Sequence, residues 1–282
     1  MIDNAMSLKA KIRNMAKQKN ISAQVVLQMY MFERFLERLL KSGYHDKFIL
    51  KGGVLVSAIV GFGNRATMDI DTTLINYPMD REYIIKAIND ICHLKVDDNT
   101  SFQIKRIDSI REDDIYGGFR ASLEATYDKS IVVPLQLDIT TGDVITPSEE
   151  LIEYRLLFSE NTIKILAYNI ETILAEKVET ILVRGEFNTR PRDFYDIYAL
   201  SVFGNYSIGI FEEALKNTAI HRESNHIFKN MDIRIQEISN SRVLKSRWIS
   251  YSRDYGYASQ ITYNDVMEAL RRLVKNFYKD EY

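Results

Sequence analysis

Between Phe48 and Leu74 the chain reads FILKGGVLVSAIVGFGNRATMDIDTTL, and this stretch limits what the rest can fold into. A short apolar strand, Phe48–Leu50, ends in the glycine pair Gly52-Gly53. A short apolar helix over Val54–Val60 follows, then a loop, then a second strand, Met68–Leu74, carrying Asp69 and Asp71. Carboxylates two residues apart on a strand point to one face. Met68 and Ile70 are expected to face the core and the two aspartates the other side. A glycine pair opening a helix bares backbone N–H groups to an anion. Together these features suit a metal-bound polyphosphate, in practice a nucleoside triphosphate. Each half also has a plainer reading. Glycine pairs make tight turns with close packing, and Asp-x-Asp occurs on any solvated strand face.

A third carboxylate makes the pattern more specific. The periodicity predicts a helix from a Ser22 cap to about Leu40 and another over Asp80–Leu94 with Ile84, Ile85, Ile88 and Ile91 inward. Strands follow at Phe102–Ile110, Phe119–Tyr127 and Ile131–Ile139, with Asp113-Asp114 and Gly117-Gly118 turning between the first two. The last strand, IVVPLQLDIT, is nearly all apolar, which predicts a central place in the sheet. Pro134 implies that part of it lacks a partner. Asp138 stands out there, because buried carboxylates are costly unless paired or bound to metal. Magnesium takes oxygen ligands and shares them with substrate phosphates, so Asp69, Asp71 and Asp138 are candidate ligands of Mg²⁺. Strands supply the rigidity such a site needs.

Beyond Pro147 one or two short strands are expected, at Arg155–Phe158 and Thr162–Leu166, and the chain then turns helical. Asn169 caps a predicted helix to about Arg184. Thr189–Leu200, with Pro191 in its first turn, Tyr206–Thr218, His226–Ser239 and Thr262–Lys279 are further helices. The shift divides the chain into 1–150, an α/β domain with N-terminal helices, and 151–282, a mainly helical domain completing the active site. In the helical part Lys177 lies near the edge of the apolar stripe of Ile173, Leu174, Ile181 and Leu182. It is either a snorkelling lysine or a cation for phosphate oxygens. Asp193 and Asp196 share a helix face. Helix-dipole pairing accounts for Asp193 better than for Asp196.

The balance of 37 basic against 39 acidic residues excludes a globally basic nucleic-acid binder, so any nucleic-acid site is a local patch. One candidate is Val243–Arg253 (VLKSRWISYSR), with Arg271, Arg272, Lys275 and Tyr278 as another. Interleaved cations and aromatics can hold single strands, and amphipathic helices give the same pattern. Lys9, Lys11, Arg13, Lys17 and Lys19 read as a solvated helix face or a backbone contact. A single cysteine, Cys92, permits no internal disulfide. No apolar run approaches a membrane span and no signal-peptide segment is evident, so a cytoplasmic protein without membrane contact is expected.

Five motifs in this order carry a resemblance: K-G-G-x-L at 51–55, R-x-T-x-D-I-D at 65–71, Asp138, L-A-E-K at 174–177 and R-x-R-D-F-Y-D-I-Y at 190–198. The chain resembles the nucleotidyltransferase toxins of the AbiEii/AbiGii type and the related MenT toxins, over about residues 20–200. The resemblance implies an α+β fold: a polymerase-β-like nucleotidyltransferase core with a mixed or antiparallel sheet, followed by an α-helical C-terminal domain. It implies a bacterial toxin of a toxin–antitoxin pair that serves abortive infection, moving a nucleotide from an NTP (GTP or CTP) to RNA, with a tRNA 3′ end as acceptor. By position, Asp69 and Asp71 match the metal-binding pair, and Asp138 the third carboxylate of the wider superfamily. Lys177 and Asp193, with Asp196 close by, match residues needed for toxicity. Gly52, Gly53, Arg65, Thr67 and Lys177 fall to the nucleotide. Gly-Gly stands where many nucleotidyltransferases have Gly-Ser, and it is usual in this family. A cognate antitoxin encoded nearby is implied, acting without touching the toxin. Two other readings stand beside this one: an NTP-binding sensor without transfer, and a metal-dependent nuclease.

Overall fold

The computed structural model describes residues 4–110 and 117–277. The expected Asp113-Asp114 turn, and Tyr278 and Lys279, lie outside them. The described chain is α+β, with a seven-stranded mixed sheet and ten α-helices. It forms two compact units. One takes in the described parts of Met1–Ala58 and Arg65–Gly142, with Glu150–Ala167. The other takes in Ile59–Asn64, Asp143–Glu149 and the described part of Tyr168–Tyr282.

The first unit opens with α1 (Ala5–Lys19) and α2 (Ala23–Lys41), the latter capped by the Ser22 side chain, which accepts from the Val25 N–H at 3.2 Å. Val26, Met29, Phe32, Phe35, Leu36 and Leu39 of α2 are all buried, as their helical spacing requires. The sheet is built from β1 (Phe48–Lys51), β2 (Asp69–Leu74), β3 (Thr100–Ile110), β4 (Gly118–Tyr127), β5 (Ile131–Thr140), β6 (Glu150–Arg155) and β7 (Thr162–Ala167). Its order is β3-β4-β5-β2-β1-β7-β6. β2 runs parallel to β5 and antiparallel to β1, and β7 runs parallel to β1. α3 (Gly52–Val60) leaves β1, and α4 (Arg81–His93), capped by Asp80, buries Ile84, Ile88 and Ile91.

β5 lies centrally, and its pairing with β2 begins only at Gln136. Pro134 therefore sits where β4 is the only neighbour, so its missing N–H costs no bond toward β2. Despite its apolar sequence the strand alternates buried and exposed residues as far as Gln136, so one face is solvated there. Two expectations need correction in this unit. β2 starts at Asp69, so Met68 lies outside the ladder, and it is 44% exposed rather than in the core. Arg155 is the last residue of a strand, β6, and no strand forms over 156–158. Leu156 N–H bonds the Asn161 carbonyl at 3.1 Å and Phe158 takes φ +58, which closes a turn, and the strand lies upstream as β6. The hairpin β6–β7 extends the sheet, because Leu50 on β1 pairs with Ala167 on β7.

The second unit holds α5 (Ile170–Arg184), α6 (Pro191–Phe203), α7 (Ile208–His221), α8 (Met231–Asn240), α9 (Arg242–Asp254) and α10 (Tyr263–Val274). Asn169 caps α5 as expected, its oxygen accepting from Thr172 N–H at 2.8 Å, while its amide donates to the Thr146 and Ser148 carbonyls. The helix expected over His226–Ser239 is broken. Asn230 adopts a left-handed conformation at φ +57, and α8 begins only after it. Just before α6 the Asn188 side-chain oxygen accepts from Arg190 N–H at 2.7 Å.

Candidate functional site

The strand unit assembles a charged row from sheet register. Lys51 on β1 pairs with Asp71 on β2, Asp71 with Asp138 on β5, and Asp138 with Arg120 on β4. Directly paired residues point to one face, so four charges lie side by side. Asp69, two residues before Asp71, lies on the same face opposite Gln136.

The glycine pair sits against this row. Gly52 takes φ +66, and a Cβ there would come within 2.0 Å of an Asp71 carboxylate oxygen. A Cβ on Gly53 would meet the Thr67 hydroxyl at 2.6 Å. Both glycines are therefore demanded by close approach, and at Gly52 also by the left-handed backbone. Gly53 N–H donates to Asp71 Oδ2 at 3.4 Å, a long bond. Lys51 is buried and donates from Nζ to the Thr140 hydroxyl at 2.7 Å. The Arg65 guanidinium is buried and donates to the Ala66 carbonyl, and Thr67 Oγ1 donates to the Asp69 carbonyl at 3.4 Å, so this loop is bound to itself.

Asp71 is held above the ordinary carboxylate range. Burial is the main cause, and the negative charges of Asp138 and Asp69 add to it, while Lys51 and Gly53 N–H oppose it. A divalent cation relieves that strain, so the Asp69–Asp71 pair fits a metal. Asp138 is engaged differently. Both its oxygens accept from Arg120, Nε and Nη2 each at 2.7 Å, in a bidentate pair. Among the described residues no group of three or more His, Cys, Asp or Glu side chains stands ready to hold a metal.

The helical unit brings together Lys177, Asp193 and Asp196. Lys177 Nζ on α5 lies 3.0 Å from Asp193 Oδ1 and 2.7 Å from Asp196 Oδ2, both on α6. The Asp196 side chain is wholly buried and the other two nearly so. The sequence-level spacing of Asp193 and Asp196 gives them one helix face, and the structure adds the cation between them. Near the start of α6 the unit also has an open cavity of about 520 Å³, bordered by Arg190, Arg192, Arg247, Tyr251 and Tyr255.

Arg120 of the charged row was not singled out in the sequence, nor was Thr140, whose hydroxyl accepts from Lys51. A signal existed for Arg120. The turn between β4 and β5 sets Tyr127 opposite Ile131, and counting outward from it brings Arg120 opposite Asp138. Among the described residues no helix is long and apolar enough to cross a membrane.

Residues 34–274 of the chain match the family described as "Nucleotidyl transferase AbiEii toxin, Type IV TA system". No curated protein matches the chain.

Proposed function

The chain belongs to the AbiEii family of nucleotidyltransferase toxins of type IV toxin–antitoxin systems, and on that premise we propose that it transfers a nucleotide from an NTP to an RNA, with a tRNA 3′ end as acceptor. The observation that carries this reading is the Gly52-Gly53 turn seated on Asp71 within the row Lys51–Asp71–Asp138–Arg120. Glycines at both positions let the turn lie close against Asp71 and Thr67, and backbone N–H groups at such a turn can face an anion. In the transfer an acceptor hydroxyl oxygen bonds to the α-phosphorus, the bond to the β-phosphate oxygen breaks, and pyrophosphate leaves.

Asp69 and Asp71 would hold Mg²⁺, which when bound offsets phosphate charge and lowers the pKa of the attacking hydroxyl. The Gly53 N–H, only weakly bonded to Asp71, is available to a phosphate oxygen. Thr67 fills the space behind the turn, and Arg65 holds the loop that places both Thr67 and Asp69. Lys51 balances Asp71 from the neighbouring strand, and Arg120 holds Asp138 in orientation through its bidentate bond. To serve as a metal ligand Asp138 would use a lone pair that its bidentate bond with Arg120 leaves over. Lys177 is required for the same turnover in this reading, its ammonium held ready by Asp193 and Asp196. GTP or CTP is the donor, and the cognate antitoxin acts without binding this chain.

Induced expression of wild type and Asp71→Asn in bacteria, with cellular RNA sized on denaturing gels, tests the reading. Wild type is expected to arrest growth and lengthen a small RNA class, and the variant to do neither. RNA that shortens would overturn transfer in favour of cleavage.

A further inference from the structure

The cavity at the start of α6 has a chemistry that the carboxylate row does not use. Its wall is one face of α9, where Arg247, Tyr251, Asp254 and then Tyr255 recur at helical spacing, faced by Arg190 and Arg192 from the entry to α6. Arg247 is fixed in place. Its Nη1 donates to the backbone carbonyls of Asn188 at 2.6 Å and Glu186 at 3.2 Å. Those acceptors carry no net charge, so the guanidinium charge stays uncompensated. Among the described residues neither Arg247 nor Arg192 has a carboxylate within ion-pair distance, while Asp254 is paired to Arg253 at 3.3 Å. The Tyr255 ring is 43% exposed and lies 4.7 Å from that of Tyr251, which is buried and backs it.

We infer that this cavity is a binding site for a single-stranded RNA segment of the acceptor. Arg192 and Arg247 take a phosphate, and Tyr255, backed by Tyr251, stacks on a base. The volume suits about one nucleotide within the range of small-ligand pockets. A plain anion site needs no aromatic platform, and an apolar ligand site needs no unpaired guanidinium groups. Cations beside an accessible ring are the combination that holds single strands without reading their sequence. Asp254, at the rim, can accept from a ribose hydroxyl or a base amine. The inference rests on the proposal that RNA is the acceptor, and it concerns binding rather than transfer.

The test is fluorescence anisotropy of the full chain with a short fluorescein-labelled single-stranded RNA, without NTP, over a salt series. Tyr255→Ala is expected to weaken binding roughly tenfold, and Tyr255→Phe to restore it, because stacking needs the ring and not the hydroxyl. Arg192→Ala is expected to weaken binding severalfold and make the salt dependence shallower by about one phosphate contact. Gly43→Ala, where nothing lies within 4 Å of a Cβ, is expected to bind as wild type does, and because binding is read without NTP, loss of transfer and loss of this site are separable. Unchanged binding in Tyr255→Ala overturns the inference. So does loss in Arg192→Ala with none in Tyr255→Ala, which would leave an anion site only.

Discussion

At the residue scale the account turns on contacts that admit few substitutes. Gly52 combines a left-handed backbone with a missing Cβ that would sit 2.0 Å from Asp71. Gly52→Ala is expected to lower transfer roughly a hundredfold, because displacing a reacting group by about an ångström has that effect. It should also lower the melting temperature by several degrees, since the backbone strain alone costs about 1 kcal/mol. Gly43→Ala is the control, because nothing lies within 4 Å of a Cβ there. Paired rate and thermal measurements check both. Lys177 needs a different design, because its removal leaves Asp193 and the fully buried Asp196 facing one another. Lys177→Ala is expected to cost about 3 kcal/mol of stability. Adding Asp196→Asn should recover part of that stability and none of the toxicity. Toxicity returning with the double variant would make the ion pair structural only.

At the element scale α2 carries a buried carboxyl unrelated to transfer. Glu33 is wholly buried, with both oxygens accepting from Leu157 N–H at 2.9 Å, and burial above all pushes its carboxyl from 4.5 up to about 8. The folded state therefore binds a proton that the unfolded chain releases near pH 4.5. The stability this contributes is full below pH 4.5 and is lost as pH rises toward about 8. Glu33→Gln is expected to flatten that decline and to stabilise the protein at pH 8 by on the order of 2 kcal/mol, read by denaturant titration at several pH values. A variant less stable than wild type at pH 8 would contradict the assignment. Glu33 also shows what periodicity leaves unread. The apolar positions of α2 mark its core, but burial of Glu33 and Arg38 depends on Leu157 and Asp98, 124 and 60 residues away. The Ser22 and Asn169 caps and the alternation of β4 were legible because their causes are local. The break at Asn230 and the turn at Phe158 were not, because left-handed residues other than glycine carry only a weak local signal.

At the scale of the whole molecule, the order of motifs along the chain pointed to the family before any packing was known. The sheet then explains why distant motifs belong together: β5 returns beside β2, placing Asp138 next to Asp71. The bidentate hold of Arg120 on Asp138 follows from that register, and no spacing rule for carboxylates alone would reveal it. Likewise the charge total, near zero overall, conceals a cavity with two guanidinium groups lacking carboxylate partners among the described residues. Nucleotide transfer to RNA is tested by supplying purified protein with Mg²⁺, total bacterial tRNA and each α-labelled NTP in turn, beside the Asp69→Asn, Asp71→Asn double variant. The account predicts label in tRNA with at least one NTP for wild type and none for the variant. Absence of label with every NTP, while wild type still binds nucleotide, would contradict it.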